Sequence, residues 1–234
     1  MKRLLMPLVA ASLLAATSSA FAADKMTVLL DWFVNPDHAP LYVALERGYF
    51  RDAGLEIDFK APADPNAPPK LVAAGKADLA VSYQPQLHVQ IDRGLPLVRV
   101  ATLVATPLSS LVVLRDSGIR SIADLKGKTV GFSVGGFEDA LLRAMLEKNG
   151  LKLSDIKLVN VNFWLSPALI SKKVDAVIGA FRNFELNQLD ILKRPGRAFY
   201  VEEEGVPAYD ELIVVANSKD VSKPSTRKFI GAME

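Results

Sequence analysis

Along the chain the spacing of apolar residues switches between a period of two and one near 3.6, and the switches mark out the elements. Residues 26–30 form an apolar run suited to a buried strand, and Leu41, Ala44, Leu45 and Tyr49 then recur at helical spacing. Leu55, Ile57 and Phe59 alternate with polar neighbours, as in a half-buried strand. A short helix ending near Gly75, a strand over 78–83, a helix over 85–93 and a strand over 97–104 follow. This βαβαβαβ order predicts a mostly parallel sheet covered on both faces.

Thr106-Pro107-Leu108-Ser109-Ser110 interrupts the pattern with a helix breaker and small polar residues, as a crossing segment would. A second run of the same kind follows. It comprises a strand at 111–115, a helical turn at 121–125, a strand at 129–133, and a helix from about 137 to 148 closed by Asn149-Gly150. Strands at 157–161 and 175–180, a helix near 184–192 and a strand at 198–202 complete it. Leu71 to Ser82 (LVAAGKADLAVS) and Leu169 to Ala180 (LISKKVDAVIGA) echo one another, each running from a helix end through Asp into an apolar strand. The chain is therefore predicted to be α/β, with two lobes of similar build, one formed by 23–106 with 210–234 and the other by 107–209. Residues 225–234 begin like a helix, with Ser225 as its N-cap, and stop without a C-cap or breaker, so further closing helices are expected beyond them.

The first 22 residues read as an export signal. Lys2 and Arg3 give a positive start, the 13 residues Leu4 to Ala16 are an apolar core broken only by Pro7 and Ser12, and Ala20-Phe21-Ala22 suits cleavage before Ala23. An apolar core of that length falls short of the ~20 residues that span a bilayer. The product is expected to be a free periplasmic monomer. The formal net charge is +2, and Lys2 and Arg3 account for that excess. A balanced mature chain without basic clusters argues against nucleic acid or an anionic membrane as partner. With no Cys there is no disulfide framework, no thiolate metal site and no cysteine nucleophile.

Several segments carry a resemblance. Asp124-Leu125-Lys126-Gly127-Lys128-Thr129-Val130-Gly131 resembles a signature of two-lobed bacterial solute-binding proteins that feed ABC importers. Residues 31–38 (DWFVNPDH), Leu41-Tyr42-Val43-Ala44, Gly48-Tyr49-Phe50, residues 177–185 (VIGAFRNFE) and 205–212 (GVPAYDEL) are similar to one branch of that superfamily. The branch holds binding proteins for the thiamine pyrimidine precursor together with fungal thiamine pyrimidine synthases. The resemblance implies the type II periplasmic-binding-protein fold, an aminopyrimidine ligand in the cleft between lobes, and an ABC permease as partner. It also raises a synthase as the alternative from another class, and a sulfonate, taurine, nitrate or other aromatic nutrient as the alternative ligand. In the synthases, the positions of Ser82 and Gln86 are held by the Lys that carries pyridoxal phosphate and by a His consumed as substrate, and a Cys-rich iron-binding run is present. Without that Lys no Schiff base forms, so a binder with no cofactor is expected.

An aminopyrimidine offers two aromatic faces, a donor amine and acceptor ring nitrogens. Open α/β sheets form ligand crevices at the carboxyl ends of their strands. Trp32 and Tyr83 end the first and third strands and supply aromatic faces, with Ser82 beside them. Asn35 and His38 lie in the loop to the first helix. Metal binding is not expected, since the other histidine, His88, brings no ligand spacing with it. On the second lobe Gly135, Gly136 and Phe137 precede a helix whose free N–H groups suit an acceptor. Glu185 suits an amino group or a protonated ring nitrogen and opposes an anion. Phe181, Asn183 and, more remotely, Trp164 complete the candidates. Glu202-Glu203-Glu204 reads as a solvated loop.

Overall fold

The computed structural model describes residues 23–234; the export signal expected in the first 22 residues lies outside them. The amino-terminal run alternates strand and helix through β1 (Asp24–Leu29), α1 (Ala39–Glu46), α2 (Tyr49–Asp52), β2 (Leu55–Lys60), α3 (Pro68–Ala73), β3 (Leu79–Ser82), α4 (Gln84–Asp92) and β4 (Leu97–Val104). The second run is β5 (Ser109–Leu114), β6 (Thr129–Phe132), α5 (Glu138–Lys148), β7 (Lys157–Asn160), α6 (Leu165–Ile170), β8 (Ala176–Phe181), α7 (Glu185–Ile191) and β9 (Gly196–Tyr200). The chain then returns through β10 (Leu212–Asn217) and α8 (Pro224–Met233).

Two five-stranded sheets result, ordered β2-β1-β3-β10-β4 and β7-β6-β8-β5-β9. In each, one strand runs against the other four: β10 is antiparallel to β3 and β4, and β5 to β8 and β9. The sheets are thus mixed, as strands that exchange between lobes require. The chain leaves the first sheet through Ala105–Leu108 and comes back through 201–211, so each sheet's antiparallel strand is the one that arrives from the other lobe. Burial follows position in the sheet. Every residue of β3 and of β10 is buried, whereas edge strand β2 alternates, with Leu55, Ile57 and Phe59 turned inward.

The echo between the two halves has a structural counterpart. Asp78 Oδ2 accepts from Thr27 N and Asp175 Oδ2 accepts from Thr129 N, both at 2.8 Å. Each Asp thus ties the start of a sheet's third strand to the strand beside it. The turn before each uses a positive φ, at Gly75 (+69°) and at Lys172 (+56°), and glycine takes that conformation with less strain.

Two elements go beyond the sequence reading. Helix α6 carries Pro167, which sits in its first turn, where no intrahelical N–H is needed. Strand β10 has no helix before it to announce a strand. Helix α8 starts at Pro224 with Lys223 as N-cap, so Ser225 is not the cap. Among the described residues, no helix is long and apolar enough to cross a membrane.

Candidate ligand-binding site

The carboxyl ends of β1, β3 and β8 and the first residues of α5, α6 and α7 converge on one cavity between the sheets. It is a narrow slot, with about 350 Å³ of space between its walls that is partly continuous with solvent. Its wall combines aromatic groups (Trp32, Tyr83, Phe137, Phe181, Phe184) with acidic ones (Asp31, Glu138, Glu185). No Lys or Arg is among the lining residues.

Aromatic side chains meet across the cleft. Trp32 packs edge-on against Phe163 at 4.7 Å, Phe33 touches Phe163 and Phe184, and Tyr83 stacks on Phe137 at 4.9 Å and 16°. Polar contacts join the rims. Asn183 Nδ2 donates to Asp37 Oδ1 at 2.6 Å. Asn66 Nδ2 donates to Ser133 O and Asn66 Oδ1 accepts from Gly135 N at 3.0 Å. The Asp64 carboxylate accepts from both the backbone and the side-chain amide of Asn66, which fixes which end of that amide faces which partner. At the crossings, buried Glu211 accepts from Leu108 N, Ser109 N, Ser109 Oγ and the Tyr209 hydroxyl. One carboxylate thereby joins the two connecting segments.

On the amino-terminal lobe, buried Asp31 organises the wall. One of its oxygens accepts from the Tyr83 hydroxyl at 2.8 Å and the other from His38 Nε2 at 2.8 Å. His38 Nδ1 faces the Asn35 N–H at 3.3 Å, so the ring proton sits on Nε2. Burial and the adjacent Asp31 charge hold the Tyr83 hydroxyl far above its ordinary range. Tyr83 is therefore a neutral donor.

Glu138 and Glu185 open α5 and α7, and each folds back on the strand end before it. Glu138 accepts from Ser133 N at 2.7 Å and Glu185 from Phe181 N at 2.6 Å. Burial outweighs these bonds and pushes both carboxyls up to about 8. Gly179 has φ +87°, and a Cβ there would overlap the Glu138 carboxyl. Trp32 is 7% exposed, and its indole N–H has no hydrogen-bond partner. A buried donor left in that state seeks an acceptor.

Of the residues singled out from sequence, Trp32, Asn35, Tyr83, Phe137, Phe181 and Glu185 line the cavity. His38 stands behind Asp31, and Ser82 Oγ donates to Gln86 Oε1 at 2.9 Å, away from the slot. Asn183 is at the rim. Gly135 and Gly136 lie outside the lining, and their N–H groups are taken by Asn66 and Asp139, so the glycine turn is not a free anion receptor. Trp164 is 65% exposed and also lies outside the lining. Sequence reasoning did not single out Asp31, Ser109, Glu138, Leu165, Gly179 or Phe184. Glu138 had a readable signal, a carboxylate at the start of a helix that follows a strand, as at Glu185.

Two mixed sheets with a cavity between them, crossed twice by the chain, define a two-lobed solute-binding fold. Known structures agree. The alkanesulfonate-binding protein of Xanthomonas axonopodis superimposes with a TM-score of 0.70 at 18% identity, over 91% of this chain and 72% of that one. The periplasmic aliphatic sulphonate binding protein of Escherichia coli does so at 0.66 and 19%, over 90% and 71%. At such identities the likeness concerns the fold.

Residues 35–234 match the NMT1/THI5-like family model, and the chain belongs to that family. A Haemophilus influenzae protein provisionally named for thiamine biosynthesis is 57% identical over 218 residues, covering 93% of this chain and 69% of that protein. The formylaminopyrimidine-binding protein of Halalkalibacterium halodurans is 37% identical over 86% of this chain and 61% of its own length. A 4-amino-5-hydroxymethyl-2-methylpyrimidine phosphate synthase of Saccharomyces cerevisiae is 30% identical over 81% and 53%. The chain thus spans between about half and just over two thirds of these relatives.

Proposed function

We propose that the chain is the ligand-receiving part of an extracytoplasmic solute-binding protein that captures a thiamine-related aminopyrimidine for an ABC permease. The lobes are 23–106 with 210–234 and 107–209, closing on the ligand about the crossings that Glu211 joins. The observation that carries the ligand assignment is the cavity wall: carboxyls and an unpartnered indole N–H between aromatic rings, with no cation. An aminopyrimidine answers each feature. Its amine donates to Glu185, a ring nitrogen accepts from Trp32 Nε1, and its faces meet the aromatic walls. A sulfonate or nitrate would bring negative charge to a wall that has nothing to neutralise it.

The binding role, rather than catalysis, is supported by Ser82 and Gln86, which stand where the synthases need a reactive Lys and His and whose side chains here bond to each other. Export through a cleaved signal and a free periplasmic location fit this role. A thermal-shift screen of the purified protein against aminopyrimidines, thiamine, riboflavin, taurine and nitrate tests the assignment. Stabilisation by aminopyrimidines is expected, and stabilisation by taurine or nitrate alone overturns it.

A further inference from the structure

Asp37 reaches across the cleft. It stands on the loop after β1, where the Asn35 side chain accepts from its backbone N–H at 2.9 Å and so fixes the turn. Its Oδ1 accepts from Asn183 Nδ2 at 2.6 Å, and Asn183 belongs to the turn before α7 on the other lobe. Its Oδ2 is buried and has no hydrogen-bond partner. Pro36 and Ala39 on the same loop are exposed, so the loop stands out from its own lobe and the facing lobe supplies the cover. Phe33, at the other end of the loop, packs at 5.8 Å on Phe184, the residue next to Asn183.

A carboxylate in that position gains one bond and leaves a charged oxygen without water, a costly state. The charges that face it are mixed. Asp31 on the same loop and Glu185 at the start of α7 oppose its charge, and His38 favours it. Burial prevails over the Asn183 bond and holds the carboxyl above its ordinary range. Parting the lobes hydrates both oxygens and returns the group to that range. The contact made by Asn66 differs in kind, because its partners, Ser133 O and Gly135 N, are backbone groups that do not titrate.

We propose that Asp37 and Asn183 form a latch between the lobes that takes up a proton as it shuts, so that closure is favoured in acid and weakens as pH rises. This rests on closure about the two crossings and holds whichever ligand the cleft takes. The sign follows from linkage: a carboxyl that holds its proton more tightly in the closed form stabilises that form below its open-form titration, and the contribution is lost as pH climbs through the closed-form one.

The chain has no Cys, so spin labels can be placed through Lys76→Cys and Lys173→Cys, at exposed positions on the two lobes. Distance distributions from double electron–electron resonance, recorded on the labelled chain between about pH 4 and 7, read the closed and open shares. Their ratio is expected to fall as pH rises, by at most about tenfold per pH unit for one proton. Asp37→Asn keeps an acceptor for Asn183 and cannot ionise, so it should make the ratio level. Asn66→Ala loosens the other contact and should lower the closed share at every pH while keeping the slope. Shares that ignore pH in the wild type and in Asn66→Ala, or a slope that survives in Asp37→Asn and so belongs to another group such as His38, overturn the latch and leave lobe closure standing. One unchanging distance in both the wild type and Asn66→Ala contradicts closure itself.

Discussion

Glu138 and Glu185 make the free protein's stability fall as pH rises. Both carboxyls sit at about 8 in the folded chain against an ordinary 4.5, because burial disfavours the charged form. A group whose folded value is raised contributes its full stability below the unfolded value and loses it as pH climbs through the folded one. The window is therefore about pH 5 to 9. A rise of that size corresponds to an upper limit of about 5 kcal/mol for one group, and Glu211 and Asp37, also raised by burial, act in the same direction. With an unfolding entropy of about 2 cal/mol/K per residue, a loss of about 3–5 kcal/mol lowers the melting temperature by about 7–11 °C. Scanning calorimetry of the ligand-free protein across that window measures it. Glu138→Gln or Glu185→Gln should flatten the dependence, because the amide carbonyl still accepts the backbone N–H and never ionises. A melting temperature that stays level or rises between pH 5 and 8 would refute the burial argument.

Other outcomes follow from single contacts. Glu185→Gln should weaken binding of an aminopyrimidine by about 1.5–3 kcal/mol while leaving taurine unaffected or improved, read by calorimetric titration at about pH 9, where the carboxyl is charged; unchanged aminopyrimidine affinity there would take Glu185 out of the site. Asn66→Ala removes both bonds from Asp64-held Asn66 to the opposite lobe, so small-angle scattering should show a larger radius of gyration in the unliganded variant; identical curves would show that closure does not depend on that rim. With Ser82 and Gln86 paired to each other, added pyridoxal phosphate should produce no Schiff-base absorbance; a stoichiometric band would revive the synthase reading.

Most of the fold is legible because strands and helices of this architecture carry clear periods. The run over 97–104 coincides with β4, and the helix expected over 137–148 differs from α5 by one residue. What escaped depends on partners distant in sequence. β10 takes its place between β3 and β4, more than 100 residues earlier, and no local pattern shows that insertion or the mixed sheets it creates. The site divides in the same way. Trp32, Tyr83 and Glu185 could be found at strand and helix ends, where crevices form. The glycine turn at 135–136 could not be judged, because whether its N–H groups are free is decided by Asn66 from the other lobe and by Asp139. His38 looked like a ligand contact but serves Asp31, whose role only the folded chain reveals.

The central claim, a pyrimidine ring held against Trp32, is tested most directly by fluorescence. The chain has two tryptophans, and Trp164, 65% exposed and outside the cavity lining, can be replaced by Phe to leave Trp32 as the sole indole. Titration of that variant with 4-amino-5-hydroxymethyl-2-methylpyrimidine or its 5-formylaminomethyl counterpart should change Trp32 emission saturably, at one ligand per chain, while taurine and nitrate leave it unaltered. Emission that responds to taurine or nitrate and ignores both pyrimidines would contradict the assignment.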